Sequence, residues 1–126
     1  MVDIQHQVTH WRNSAQQDWD VAQDLVNRGH VRHGLFFAHL ALEKLLKAHV
    51  CKNTNDLAPK QHNLVRLSEL AGLETDEKQL DLLADMNAFN IEGRYPEQLT
   101  PEPSPEEVRS YTERTEEVFQ WLNNLL

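Results

Sequence analysis

Leu35-Phe36-Phe37-Ala38-His39-Leu40-Ala41-Leu42-Glu43-Lys44-Leu45-Leu46-Lys47-Ala48-His49-Val50 is the stretch that decides the fold. Apolar side chains cover most of the circumference of a helix drawn through it. The spacing therefore predicts a central helix over residues 31 to about 52, packed on several sides. Its charges are few and grouped. Glu43 and Lys47 stand four apart with the acid nearer the N-terminus, the order in which they pair on one narrow polar stripe, and Lys44 lies beside them.

Towards the N-terminus, Ile4, Val8, Trp11, Ala15, Trp19, Ala22 and Leu25/Val26 recur by threes and fours, which predicts an amphipathic helix from residue 4 to about 28, ended by Gly29. Towards the C-terminus, a polar loop with Pro59 leads to a short helix on Leu64, Leu67, Leu70 and Ala71, stopped by Gly72. Thr75 is the expected cap of a fourth helix carrying Leu80, Leu82, Leu83, Met86 and Phe89. That pattern ends near Gly93, and Pro96, Pro101, Pro103 and Pro105 impose about ten residues of extended or turning chain. Ser104-Pro105-Glu106-Glu107 then opens the last helix, with serine as cap, proline in the first helical position and Glu107 completing a capping box. Its seam runs Val108, Tyr111, Thr115, Val118/Phe119, Leu122 and Leu125/Leu126. The expected fold class is all-α: an antiparallel up-and-down four-helix bundle with an additional short helix, in one domain over residues 1–126.

Composition narrows the function. At 126 residues the chain holds one core, and a net charge of −8 opposes coating of nucleic acid by bulk electrostatics, so no DNA partner is expected and RNA binding requires a local basic pocket. No apolar run reaches the roughly 20 residues of a membrane span, so no membrane is expected. The first residues lack a signal-peptide layout and the lone Cys51 cannot form an intrachain disulfide, which together point to the cytoplasm. Cys51 reads as a small apolar packer. His6/His10 and His30/His33 approach helical metal-ligand spacing but lack a third ligand, and no phosphate loop or nucleophile motif occurs. Neither metal nor cofactor is expected.

Three motifs carry a resemblance: Phe36 to Ala48, with Glu43-Lys44-Leu45-Leu46-Lys47-Ala48 at its end; His62-Asn63-Leu64; and Gly93-Arg94-Tyr95-Pro96. Together, over about residues 11 to 96, they resemble the HEPN domain family. That family has an aromatic, small, apolar, Glu-Lys-x-x-Lys-Ala second helix, a His-x-Leu opening the next short helix and an Arg-Tyr-Pro ending the one after. The resemblance implies a helical bundle that usually forms a homodimer. Small prokaryotic members are commonly made beside a minimal nucleotidyltransferase as a toxin–antitoxin-like pair. In many members an Arg, four to six residues and a His form a metal-independent ribonuclease site in the dimer cleft. Here that spacing occurs as Arg28 to His33 and Arg32 to His39, both at the turn between the first two helices, and no His follows Arg94.

Several residues carry a functional and a structural reading side by side. Lys44, Lys47 and His39 on the central polar stripe would cradle a phosphate or oxyanion, or Glu43 and Lys47 would form a structural ion pair, the reading the spacing slightly favours. Asp18 occupies a strict seven-residue core position; it would meet a cation from the central helix or Arg94, or sit at the stripe's edge while Trp19 takes the core. We favour the edge. His62 would orient its loop or act as acid/base near Arg94. Asn87, Asn90 and Arg94 would rim a groove suited to a nucleotide or RNA, or hydrogen-bond the bundle end. The leading expectation is a homodimeric module that binds a nucleotide or a nucleotidyltransferase-domain partner through Lys44, Lys47, Arg94 and Tyr95. The alternatives are an endoribonuclease using Arg94 and His62, and a purely structural dimerisation domain.

Overall fold

The structure, a computed structural model, describes residues 3–90 and 102–126. Helix α1 spans Ile4–Asn27 and starts where the Asp3 carboxylate accepts the His6 N–H. It ends at Gly29, whose φ of +86° suits glycine, and there the His30 N–H turns back to the Leu25 carbonyl. Helix α2, Val31–Thr54, runs two residues further than the sequence suggested and stops at Asn55 in the left-handed region. Asn63 caps α3, Leu64–Leu70, which is followed by Gly72 at φ +69°.

Helix α4, Glu77–Met86, is capped by Asp76 and not by Thr75. The Asp76 carboxylate accepts the Gln79 N–H while the Gln79 side chain accepts the Asp76 N–H, a reciprocal box that Thr75, one residue too early, cannot make. A 3-10 turn, Asn87–Phe89, follows. Helix α5, Pro105–Asn124, begins with the expected box between Ser104 and Glu107.

Contacts fix the direction of each helix. Trp11 faces Lys47, Asp18 faces Lys44, and Val26 faces Gly34, so α1 and α2 are antiparallel. On α5, Asn123 meets Arg12 and Glu116 meets Trp19, which makes α5 antiparallel to α1, while His49 and Lys52 of α2 reach Leu122 and Leu125 in parallel order. With Arg114 on Asp85 and Val118 beside Leu82, α4 opposes α5. The result is the expected up-and-down bundle of α1, α2, α4 and α5, with α3 as the extra short helix.

Helix α2 is the middle rod: Leu35, Leu42, Leu45, Leu46 and Cys51 are all buried. Each such leucine contributes about 1.5–3 kcal/mol through removal from water. Around them pack Trp19, Leu67, Leu83, Met86 and Phe119, with the Trp19 and Phe119 rings stacked 5.8 Å apart. Burial pushes the Cys51 thiol up, away from a reactive thiolate. Two residues of the expected stripes lie outside: Leu80 and Leu125 are exposed, because each helix turns that side to solvent. Among the described residues no helix is long and apolar enough to cross a membrane.

Candidate functional site

His39, Glu43 and Lys47 recur every four residues and so form one line on α2. Glu43 is its centre, only 5% exposed. One carboxylate oxygen, Oε2, accepts from Lys47 Nζ at 3.1 Å, and the other, Oε1, accepts from His62 Nδ1 at 3.0 Å. Lys47, itself 7% exposed, also lies 5.3 Å above the Trp11 ring, so its charge is held between a carboxylate and an aromatic face.

The two imidazoles differ in surroundings. His39 is fully buried; its Nε2 donates to the His62 carbonyl at 3.1 Å, while Nδ1 has no hydrogen-bond partner and stands 3.8 Å from Glu43 Oε1. Burial pushes its pKa below the usual imidazole value, outweighing the Glu43 charge that pulls the other way. With Nε2 bonded to a carbonyl, the neutral ring carries its proton there. The His62 side chain is half-exposed; its Nδ1–H points at the carboxylate, which leaves Nε2 as the unprotonated nitrogen of the neutral ring. His39 thus holds the His62 backbone while Glu43 orients the ring.

Lys44 faces α1. Its Nζ lies 2.7 Å from Asp18 Oδ2 and donates to Ser14 Oγ at 2.8 Å. Both readings of Asp18 meet here: it pairs with a cation of the central helix, and its neighbour Trp19 fills the core. Asn87 joins α4 to α3, accepting the Leu64 N–H at 2.8 Å and donating to Asn63 Oδ1 at 3.2 Å. Asn90 is half-buried with its N–H on the Asn87 carbonyl, while Arg94 and Tyr95 lie outside the described residues. Arg28 pairs with Asp24 on the surface and His33 is exposed, so neither joins the Glu43 cluster.

The structure therefore gathers His39, Lys47 and His62 on Glu43, turns the adjacent Lys44 towards Asp18 of α1, and puts Asn87 at the start of α3. Glu43 is the group that sequence reasoning under-weighted as a site residue. Its spacing to Lys47 was legible, but its contact with His62 spans the loop between α2 and α3. Electrically the cluster is balanced, since each lysine has its own carboxylate. Among the described residues no three His, Cys, Asp or Glu side chains are placed to hold a metal ion. Open clefts lie elsewhere: about 460 Å³ between α4 and α5, about 430 Å³ where the start of α1 meets the ends of α2 and α5, and about 320 Å³ along α1.

Comparison with known proteins agrees with this architecture. A family model described as HEPN domain matches residues 8–125. The crystal structure of TT1696 from Thermus thermophilus matches with a TM-score of 0.76 over 94% of this chain and 98% of that one, at 19% identity, a likeness of fold. No curated protein matches the chain.

Proposed function

The chain belongs to the HEPN domain family, and from that premise we propose that it is a partner-binding module: a homodimer that pairs with a minimal nucleotidyltransferase-domain protein in a toxin–antitoxin-like system. The observation that carries this choice is the closure of both central lysines by carboxylates, Lys44 by Asp18 and Lys47 by Glu43. A phosphate entering that recess would face Asp18 and Glu43 as well as the lysines, and displacing a buried carboxylate from its cation costs several kcal/mol. A protein surface has no such requirement, because balanced polar groups can meet its own donors and acceptors. In this reading Lys44, Lys47, His39 and Asp18 stiffen the wall behind the contact, Asn87 and Asn90 rim it, and Arg94 and Tyr95 reach the partner.

Light scattering of the domain alone and mixed with the nucleotidyltransferase-domain protein tests this. The expected result is a homodimer mass, a stable mixed complex and a rise in melting temperature, since a partner at 100 times its Kd adds about 2.7 kcal/mol. A monomer that neither associates nor gains stability would overturn the proposal.

One observation favours a second reading, a metal-independent endoribonuclease. A half-exposed imidazole oriented by a buried carboxylate, as His62 is by Glu43, is the arrangement of a general base. Cleavage of single-stranded RNA in chelator, abolished by His62→Gln, Glu43→Gln or Arg94→Ala, supports it. Undiminished cleavage in His62→Gln rejects it.

A further inference from the structure

The cleft of about 460 Å³ between α4 and α5 is within the size range of binding sites and takes no part in the Glu43 cluster. Leu82 and Val118 form its apolar floor, and Asp76, Gln79, Asp81 and Glu117 stand around it.

The charge balance of this cleft is acidic. Lys78 and Arg114 also line it, but Arg114 is held by Asp85 at 2.9 Å, so with Asp85 included four carboxylates meet two cations. Asp76 is partly committed, because it caps the start of α4. Among the described residues Asp81, Glu117 and Lys78 have no ion-pair partner. The two sides of the bundle differ in the same sense. Helices α4 and α5 carry eight carboxylates and three cations, whereas α1 and α2 carry four carboxylates and five cations. Most of the net charge of −8 therefore comes from the side of the molecule that holds this cleft.

An apolar groove rimmed by unpaired carboxylates matches a basic chain. The methylene stems of Lys or Arg lie over the floor while their heads reach Asp81 and Glu117. A small cation would meet the carboxylates and leave the floor bare, whereas a polypeptide uses both. We propose that the cleft between α4 and α5 docks a basic segment of a partner protein, with Lys or Arg side chains seated between Asp81 and Glu117. This adds a surface to the partner-binding reading and can fail separately from it.

Fluorescence anisotropy of a labelled peptide of alternating arginine and alanine, titrated with the full chain, tests the proposal. At about 0.1 M salt, charges more than about 10 Å away are largely screened. Saturable binding is expected, and Asp81→Lys with Glu117→Lys should weaken it about tenfold or more. Asp20→Lys with Asp24→Lys makes the same change in net charge on the exposed side of α1 and should weaken it less than about twofold. Lys78→Glu removes the unpaired cation of the cleft and should tighten binding about threefold, a gain that misfolding cannot imitate. All five positions are exposed, and unchanged melting curves verify that the weakened variants fold. Absence of saturable binding, equal weakening by the two double variants, or no gain from Lys78→Glu would overturn the proposal. Spermidine displacing the peptide as well as unlabelled peptide does would assign a small polycation and overturn it too. If the nucleotidyltransferase-domain protein forms its complex while the peptide does not bind, the partner-binding reading stands and this one falls.

Discussion

Glu43 holds Lys47 and His62 and stands beside His39, so its replacement has several consequences. Replacing it with Gln leaves Lys47 a nearly buried cation without its counter-charge, so Glu43→Gln is expected to cost about 3–5 kcal/mol in urea unfolding. Lys47→Met should cost less, because Glu43 retains the His62 N–H and methionine follows the same path over Trp11. Two other buried residues set the acid response. His39 and His49 are both held below the ordinary imidazole value of 6.5, chiefly by burial, although His49 bonds the Leu122 carbonyl at 2.7 Å. The unfolded chain then binds more protons than the folded one between the folded values and 6.5. Stability is therefore fully present above about pH 6.5 and falls as the pH drops from there through the folded values, with a slope of at most about 2.7 kcal/mol per pH unit for two groups. Urea midpoints from about pH 7.5 to 5.5 measure this slope, and His39→Gln and His49→Gln should each flatten it by about half. At this scale the sequence was half legible. The four-residue step from Glu43 to Lys47 announced their pair, whereas the Glu43–His62 contact and the burial of His39 depend on how the α2–α3 loop folds back.

Helix α2 approaches α1 closely at Gly34. A Cβ there would lie 2.5 Å from Val26 Cγ2, 3.0 Å from Val26 N and 3.1 Å from Ala22 O. Alanine would add about 1 kcal/mol of helix propensity, but two of these neighbours are backbone atoms that cannot turn aside, so the clash wins. Gly34→Ala is expected to destabilise by about 1–3 kcal/mol, and adding Val26→Ala should recover only part of the loss in thermal melts. The cap of α4 offers a second comparison. Asp76→Ala should cost about 1 kcal/mol, and Thr75→Ala within about 0.5 kcal/mol of nothing. The boundaries of α1, α3 and α5 were legible because Gly29, Gly72 and the Ser104–Glu107 box each supply their own local chemistry. At Thr75-Asp76 two capping residues adjoin, and only the reciprocal bond to Gln79 separates them. The role of Gly34 was invisible, since a close approach belongs to two helices together.

For the whole molecule, the bundle was readable because each helix has its own apolar stripe and α2 is apolar nearly all round, which leaves it the centre. The distribution of charge over the assembled surface was not. Arg12 and Lys52 are forty residues apart and share a cleft only because the end of α5 receives both side chains. Lys44 and Lys47 look like a cationic pair in the sequence and are balanced in the fold by Asp18 and Glu43. Backbone-amide shift mapping by NMR during a pyrophosphate titration reads this division most directly. His39, Lys44 and Lys47 should stay unmoved, since both lysines are already paired with carboxylates; saturable shifts centred on Lys44 and Lys47 would contradict it.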